Sequence, residues 1–237
     1  MKKKIKIKVF PTLKNVCTEA ARIFLDLSSI KGQNNFIIPG GKTPIDFYQL
    51  INKQTQSWGN MTLLLSDERI VKEGSIHLNM RMVKKSLFNF NKEKKSFRLI
   101  PDFHSDIQEN PVKLLGVLNP LVPLLGTFKA AFLGVGEDGH TASLFPGLEH
   151  DNNDNAFILV DRSQESFQRI SISNKLLSKI PLLVFMFAGL GKREVLNKIT
   201  GKNSSGSELV IQKIINNAKE KVIILCDQDA ASDFKYD

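Results

Sequence analysis

Apolar and charged positions alternate at the start of the chain. Ile5-Lys6-Ile7-Lys8-Val9 has a two-residue period and predicts a strand from Ile5 to Phe10. Cys17, Ala20, Ala21, Phe24 and Leu25 then fall at helical spacing, so Asn15 to Leu27 reads as an amphipathic helix. Phe36-Ile37-Ile38 is a short apolar strand that stops at Pro39-Gly40-Gly41, a turn signal. Thr43-Pro44 follows as an N-cap with proline at the first helical position, and that helix carries Ile45, Phe47, Tyr48, Leu50 and Ile51. Met61 to Leu65 is the next strand and ends at a polar turn, Ser66-Asp67-Glu68-Arg69. A helix around Asn79 to Phe88 and a strand from Phe97 to Ile100 come next, whereas Pro101 to Thr127 fits no single period. Ala130 to Val135 reads as a central strand, and Phe157 to Val160, Arg169 to Ser173, Leu182 to Phe187 and Val222 to Cys226 as further strands. Helices are expected at Lys192 to Ile199 and at Glu208 to Ala218.

Strands alternating with helices imply an α/β protein with a mostly parallel sheet and helices on both faces. Ligands of such sheets sit beyond the carboxyl ends of the strands. The polar turns at Gly40, Asp67 and Asp138 each follow a predicted strand, so they are expected to meet at one edge of the sheet.

At 237 residues the chain is long enough for one large domain or two small ones. It has no internal repeat, Pro-rich linker or low-complexity tract, which favours a single domain over residues 1–237. The net charge of +9 comes from scattered lysines such as Lys2 to Lys4 and Lys92 to Lys95. These read as solvated surface, with a field that attracts a phosphorylated metabolite. Nucleic acid is not expected as a partner, because one Trp and two Tyr leave few aromatics to interleave with the basic residues. Cys17 and Cys226 both sit in apolar runs and read as buried free thiols. The N-terminus lacks the apolar core of a signal peptide, and the longest apolar stretch, Pro181 to Leu190, is too short to span a membrane. The expectation is a soluble cytoplasmic protein with no membrane partner, a monomer or weak homodimer.

The chemistry concentrates in the run from Leu133 to Gly147, which contains Gly134-Val135-Gly136-Glu137-Asp138-Gly139-His140-Thr141-Ala142-Ser143-Leu144-Phe145-Pro146-Gly147. Glycines allow close backbone approach to a ligand, and the turn presents an imidazole suited to proton transfer. His140 is the candidate base, oriented by either Asp138 or Asp67. His77, His104 and His150 lack such a setting and read as surface residues. Gly40, Gly41, Lys42 and Thr43 precede a helix start whose free N–H groups suit an anion. Arg69 is suited to pair with a carboxylate, a phosphate or a developing oxyanion, and Asn79 to cap a helix or contact a polyol. Arg169 and Lys192 are further candidate phosphate partners. No clustered His/Cys pattern suggests a metal site.

Several of these motifs together resemble the 6-phosphogluconolactonase family, within the superfamily that includes glucosamine-6-phosphate deaminase. Gly40-Gly41-Lys42-Thr43-Pro44 is similar to the family's S-G-G-x-T-P turn, with Pro39 in place of the serine. Asp67-Glu68-Arg69 matches D-E-R, and Asn79 matches the asparagine of an S-N pair, with Leu78 in place of the serine. Gly134 to Gly147 matches G-x-G-x-D-G-H-T-A-S-L-F-P-G closely. Arg169-Ile170-Ser171 resembles the R-I-T strand, Gly191-Lys192 the lysine-bearing turn, and Asp227 to Ala231 the closing D-x-x-A-A. The resemblance implies a Rossmann-like fold and hydrolysis of a 6-phosphorylated δ-lactone. It implies His140 as the base that activates water and Arg69 as a stabiliser of charge. Gly41, Thr43, Arg169 and Lys192 would hold the phosphate or sugar.

Lactone hydrolysis needs water deprotonated as it attacks, a donor for the tetrahedral oxyanion, and a proton for the departing ring oxygen. One histidine serves first as base and then as acid, so no metal, nucleotide or other cofactor is expected. The related deaminases carry a glutamate near the proline of the long motif; this chain has Phe145 there, which cannot relay a proton. A non-catalytic sugar-phosphate-binding protein would have no need of the intact His140 turn.

Overall fold

The apolar runs that read as central strands are buried on both faces, and this dictates a layered α/β arrangement. A computed structural model of the protein describes residues 5–54, 59–88, 97–148, 154–201 and 207–233. Lys2 to Lys4, Lys92 to Lys95 and His150 lie outside the described residues. The first half holds β1 (Ile5–Phe10), α1 (Leu13–Ser28), β2 (Asn34–Ile38), α2 (Ile45–Gln54), β3 (Met61–Leu65), β4 (Asp67–Arg69), α3 (Asn79–Phe88), β5 (Phe97–Ile100), α4 (Ser105–Gln108) and α5 (Pro111–Leu124). The second half holds β6 (Ala130–Gly134), β7 (Phe157–Val160), β8 (Arg169–Ile172), α6 (Asn174–Ser178), β9 (Leu182–Phe187), α7 (Arg193–Ile199), α8 (Val210–Asn217) and β10 (Lys221–Asp227).

Seven strands form one parallel sheet in the order β1-β10-β9-β6-β2-β3-β5. Alternate residues of each strand feed two separate cores. Phe36, Ile38, Leu63, Leu65 and Phe132 pack on one face with Val16, Cys17, Phe24, Phe47 and Tyr48 of α1 and α2. Ile37, Leu64, Leu133, Phe185 and Ile224 pack on the other with Leu114 and Leu118 of α5 and Ile211 and Ile214 of α8. Helices therefore cover both faces, as the alternation of patterns predicts. Both thiols are fully buried, and burial pushes Cys17 up to about 11 and Cys226 up to about 12. No described helix is long and apolar enough to cross a membrane.

Three local readings change. Asp67–Arg69 is not a free turn but a short strand, paired antiparallel with β8, which in turn pairs with β7 in a second, three-stranded sheet. Pro101 to Thr127 contains α4 and α5. Asn110 caps α5 by accepting from the Val112 and Lys113 N–H groups, and Pro111 opens it. Pro120 and Pro123 lie inside that helix and mask its pattern, yet Leu114, Leu118 and Val122 keep one buried stripe. Finally, α2 begins at Ile45, and the Pro44 carbonyl accepts the first helical bond, from the Tyr48 N–H.

Candidate active site

Strands β9, β6, β2 and β3 are consecutive in the sheet, and their carboxyl ends carry the glycine-rich, acidic and basic turns. Between β6 and β2 the connections turn to opposite sides, which opens the crevice where open α/β sheets bind ligands. A cleft of about 260 Å³ lies there, with Gly40, Gly41, Thr43, Asp67, Arg69, Asn79, His140, Arg169 and Lys192 among its walls. The expected meeting of the three turns is thus found. Asp138 reaches the cleft only through His140, and Lys42 is exposed and not among the lining residues.

The turn after β6 builds the imidazole's seat. The Gly136 N–H donates to the His140 carbonyl at 2.8 Å, and Gly139 takes a φ of +81°, which favours glycine. Gly136 is required for a second reason: a Cβ there would lie 2.1 Å from His140 Nδ1. Asp138 Oδ1 accepts the His140 backbone N–H at 3.0 Å and lies 2.5 Å from Nδ1. Of the two orienting carboxylates the sequence offers, it is Asp138 that touches the ring. Burial would raise the Asp138 carboxyl, but the His140 N–H groups and the imidazole's charge outweigh it and hold it below its ordinary value. With Nδ1–H donated to a carboxylate, the accepting lone pair of the neutral ring is on Nε2. The ring packs against Phe145 at a tilt of 41°, with centroids 4.4 Å apart.

Asp67 has a different task. Its Oδ2 accepts from Ser143 Oγ at 2.7 Å and lies 3.9 Å from an Arg169 nitrogen, so it ties the β3, β6 and β8 segments together. Asn79 donates to the Asp67 carbonyl at 3.0 Å and accepts the Gly41 N–H at 3.2 Å. A Cβ on Gly40 would sit 2.1 Å from the Asn79 amide, so the glycine makes room for this link.

Glu68, read in the sequence only as part of the polar Asp67-Glu68-Arg69 turn, proves to be the anchor of α3. It is fully buried and accepts the Asn79, Met80 and Arg69 backbone N–H groups at 2.7–2.8 Å. Burial, aided by the neighbouring Asp67 charge, pushes its carboxyl up to about 7 against those three bonds. The two partners on α3 lie 11 and 12 residues away, so no local pattern marks this anchoring. Arg69 donates to the His77 carbonyl at 2.7 Å, while its Nε is buried with no partner among the described residues.

On the far wall, Lys192 Nζ stands 3.9 Å from Glu137 Oε1. Asp227 at the end of β10 accepts the Gly189 N–H and so fixes the turn that carries the lysine. Arg169 is held by Glu165, a residue the sequence did not single out, at 2.7 and 2.8 Å. Among the described residues, no group of three or more His, Cys, Asp or Glu is placed to hold a metal ion.

A family model described as glucosamine-6-phosphate isomerases/6-phosphogluconolactonase matches residues 12–224. The 6-phosphogluconolactonase of Helicobacter pylori (strain J99) is 30% identical over 187 residues, 76% of this chain and 78% of that protein. The 6-phosphogluconolactonase of Caulobacter vibrioides is 27% identical over 235 residues, 93% of this chain and 97% of that one. The crystal structure of the Thermotoga maritima 6-phosphogluconolactonase superposes with a TM-score of 0.78 at 23% identity, covering 94% of this chain and all of that one.

Proposed function

Because the chain belongs to the glucosamine-6-phosphate isomerase/6-phosphogluconolactonase family, we infer from its cleft how it works on a phosphorylated sugar. The protein hydrolyses 6-phospho-D-glucono-1,5-lactone to 6-phosphogluconate, a reaction that fits the oxidative branch of the pentose phosphate pathway. In the proposed mechanism, His140 Nε2 takes a proton from water as the oxygen attacks the lactone carbonyl. Asp138 holds the ring in the tautomer that leaves Nε2 basic and stabilises the imidazolium that forms. The tetrahedral oxyanion then collapses, the bond to the ring oxygen breaks, and the imidazolium returns the proton to that oxygen.

The anion-binding groups are proposed to divide the substrate between them. The Gly41 and Thr43 segment, Arg169 and Lys192 take the phosphate and sugar, and Asn79 braces the glycine turn. The Arg69 guanidinium, on the cleft wall, is suited to the developing negative charge. Binding energy from the phosphate fixes the carbonyl without touching the bond that breaks.

The observation that carries this reading is the Asp138–His140 pair on the wall of a cleft that also holds three cationic side chains. Lactone hydrolysis by wild type and His140→Ala, corrected for the spontaneous reaction, tests it. A loss of about 10²–10⁴-fold is expected for a general acid–base residue; equal activity refutes the mechanism. The alternative reading, an amino-sugar-phosphate isomerase/deaminase, is disfavoured by Phe145, whose ring packs on His140 where a carboxylate would be needed. Steady ammonia release from glucosamine 6-phosphate would reverse that choice.

A further inference from the structure

Behind the cleft wall, Glu165 holds two guanidinium groups at once. Its Oε2 accepts from Arg169 Nε at 2.7 Å, and its Oε1 accepts from Arg169 Nη2 at 2.8 Å and from Arg162 Nη1 at 2.6 Å. Those two bonds to Arg169 form a bidentate fork and fix the guanidinium plane. The remaining nitrogen, Nη1, is turned toward Ser143 Oγ at 3.5 Å and Asp67 Oδ2 at 3.9 Å, on the cleft side. Both contacts are longer than the Glu165 pair, so Glu165 dominates the orientation. Burial raises the Glu165 carboxyl, yet Arg169 and Arg162 together bring it below its ordinary value, as expected of a carboxylate that stays ionised.

The second guanidinium leads to the other side of the site. The Arg162 guanidinium carbon stands 3.9 Å from the centroid of the Phe145 ring, a cation–π distance. Phe145 in turn packs against the His140 ring. Contacts therefore run without a break from Glu165 through Arg162 and Phe145 to the imidazole, and from Glu165 directly to Arg169.

We propose that Glu165 is a positioning residue that sets the anion-binding face of Arg169 and, through Arg162 and Phe145, the seat of the His140 ring. This rests on the lactonase reading for its kinetic consequences, and on geometry alone for its effect on anion binding. A guanidinium already fixed loses less rotamer freedom when an anion arrives. The opposing effect is that Glu165 neutralises part of the Arg169 charge. The two effects predict opposite results on removal of the carboxylate, which makes the proposal decidable.

The experiment compares wild type, Glu165→Gln, Glu165→Ala, Arg162→Ala and the double variant Arg162→Ala/Glu165→Ala. Titration with inorganic phosphate by calorimetry reads the Arg169 arm. Glu165→Gln should weaken phosphate binding and raise KM by about fivefold to tenfold, the size of one lost charge-assisted pair. Arg162→Ala should lower kcat with KM unchanged and should move the His140 ring-proton resonance in the NMR spectrum. The double variant should lose no more kcat than Glu165→Ala alone, because the two residues act in series. Phosphate binding that is unchanged or tighter in Glu165→Gln overturns the proposal, as does an unmoved His140 resonance in Arg162→Ala. Should Glu165→Ala fail to fold, the Gln variant carries the test. Absence of lactonase activity in wild type would overturn the functional reading but leave the calorimetric and NMR arms decisive.

Discussion

One oxygen of Asp138 serves both the ring and the backbone of His140, at 2.5 Å from Nδ1 and 3.0 Å from the N–H. Ring and main chain are thereby locked together, so the imidazole has little freedom to leave its seat. An amide at position 138 keeps an acceptor oxygen but loses the charge that stabilises the imidazolium. Asp138→Asn is expected to lower kcat by about tenfold to a hundredfold, less than removal of the whole acid–base group. Stopped lactone assays at neutral pH measure this; wild-type kcat in the variant would exclude an orienting role.

Gly136 supports the same geometry by what it lacks. An added Cβ would lie 2.1 Å from Nδ1 and 2.2 Å from Cε1 of His140, and 2.6 Å from Asp138 Oδ1. No unstrained contact is that short, so the ring must move. Gly136→Ala should therefore reduce activity by about tenfold or more while the protein stays folded, in line with the cost of misplacing a reacting group. Gly116→Ala in α5 is the matched control, since a Cβ there meets nothing within 4 Å. Full activity in Gly136→Ala would mean the ring position is not limiting.

The sheet was legible because its strands are short apolar runs bounded by glycine and polar turns. Their carboxyl-end turns are the ones that line the cleft. Alternation alone located Ile5–Phe10 with its observed bounds, and the helix read around Asn79 to Phe88 matches α3. The second sheet was hidden because β4 is only three residues, Asp-Glu-Arg, whose pairing with β8 is a long-range event no local pattern encodes. α5 was hidden by Pro120 and Pro123. Within the site, His140 and Lys192 were visible as unusual residue types beside glycines, and Arg69 as a cation ending an acidic turn. Glu68 and Glu165 were not, because each is defined by what folds against it.

Lys192 makes a loose ion pair, 3.9 Å from an exposed Glu137 carboxylate. Its charge is therefore available to an incoming anion at little cost. Lys192→Ala is expected to raise KM for the lactone by about tenfold with kcat nearly unchanged, as for a group that binds ground and transition states alike. Lys192→Arg should recover part of the loss. A variant with unaltered KM would remove Lys192 from the phosphate site.

Glu68 makes stability depend on pH in an unusual direction. In the unfolded chain its carboxyl releases its proton near 4.5, whereas in the fold it holds the proton until about 7. Between those values the folded state binds more protons than the unfolded state, so stability falls as pH rises. The contribution is complete below 4.5 and is lost as pH passes through about 7. At about 1.4 kcal/mol per pH unit of separation, the whole window is worth about 3 kcal/mol. Glu68→Gln abolishes this titration and leaves one of the three backbone N–H bonds facing an amide nitrogen, so it is less stable than wild type at pH 5. Raising the pH to 8 should shrink that gap by about 2–3 kcal/mol, again from the size of the pKa separation. Urea unfolding of both proteins at pH 5, 6, 7 and 8 gives the gap directly. A gap that widens with pH would show that the three N–H donors, and not burial, govern this carboxyl.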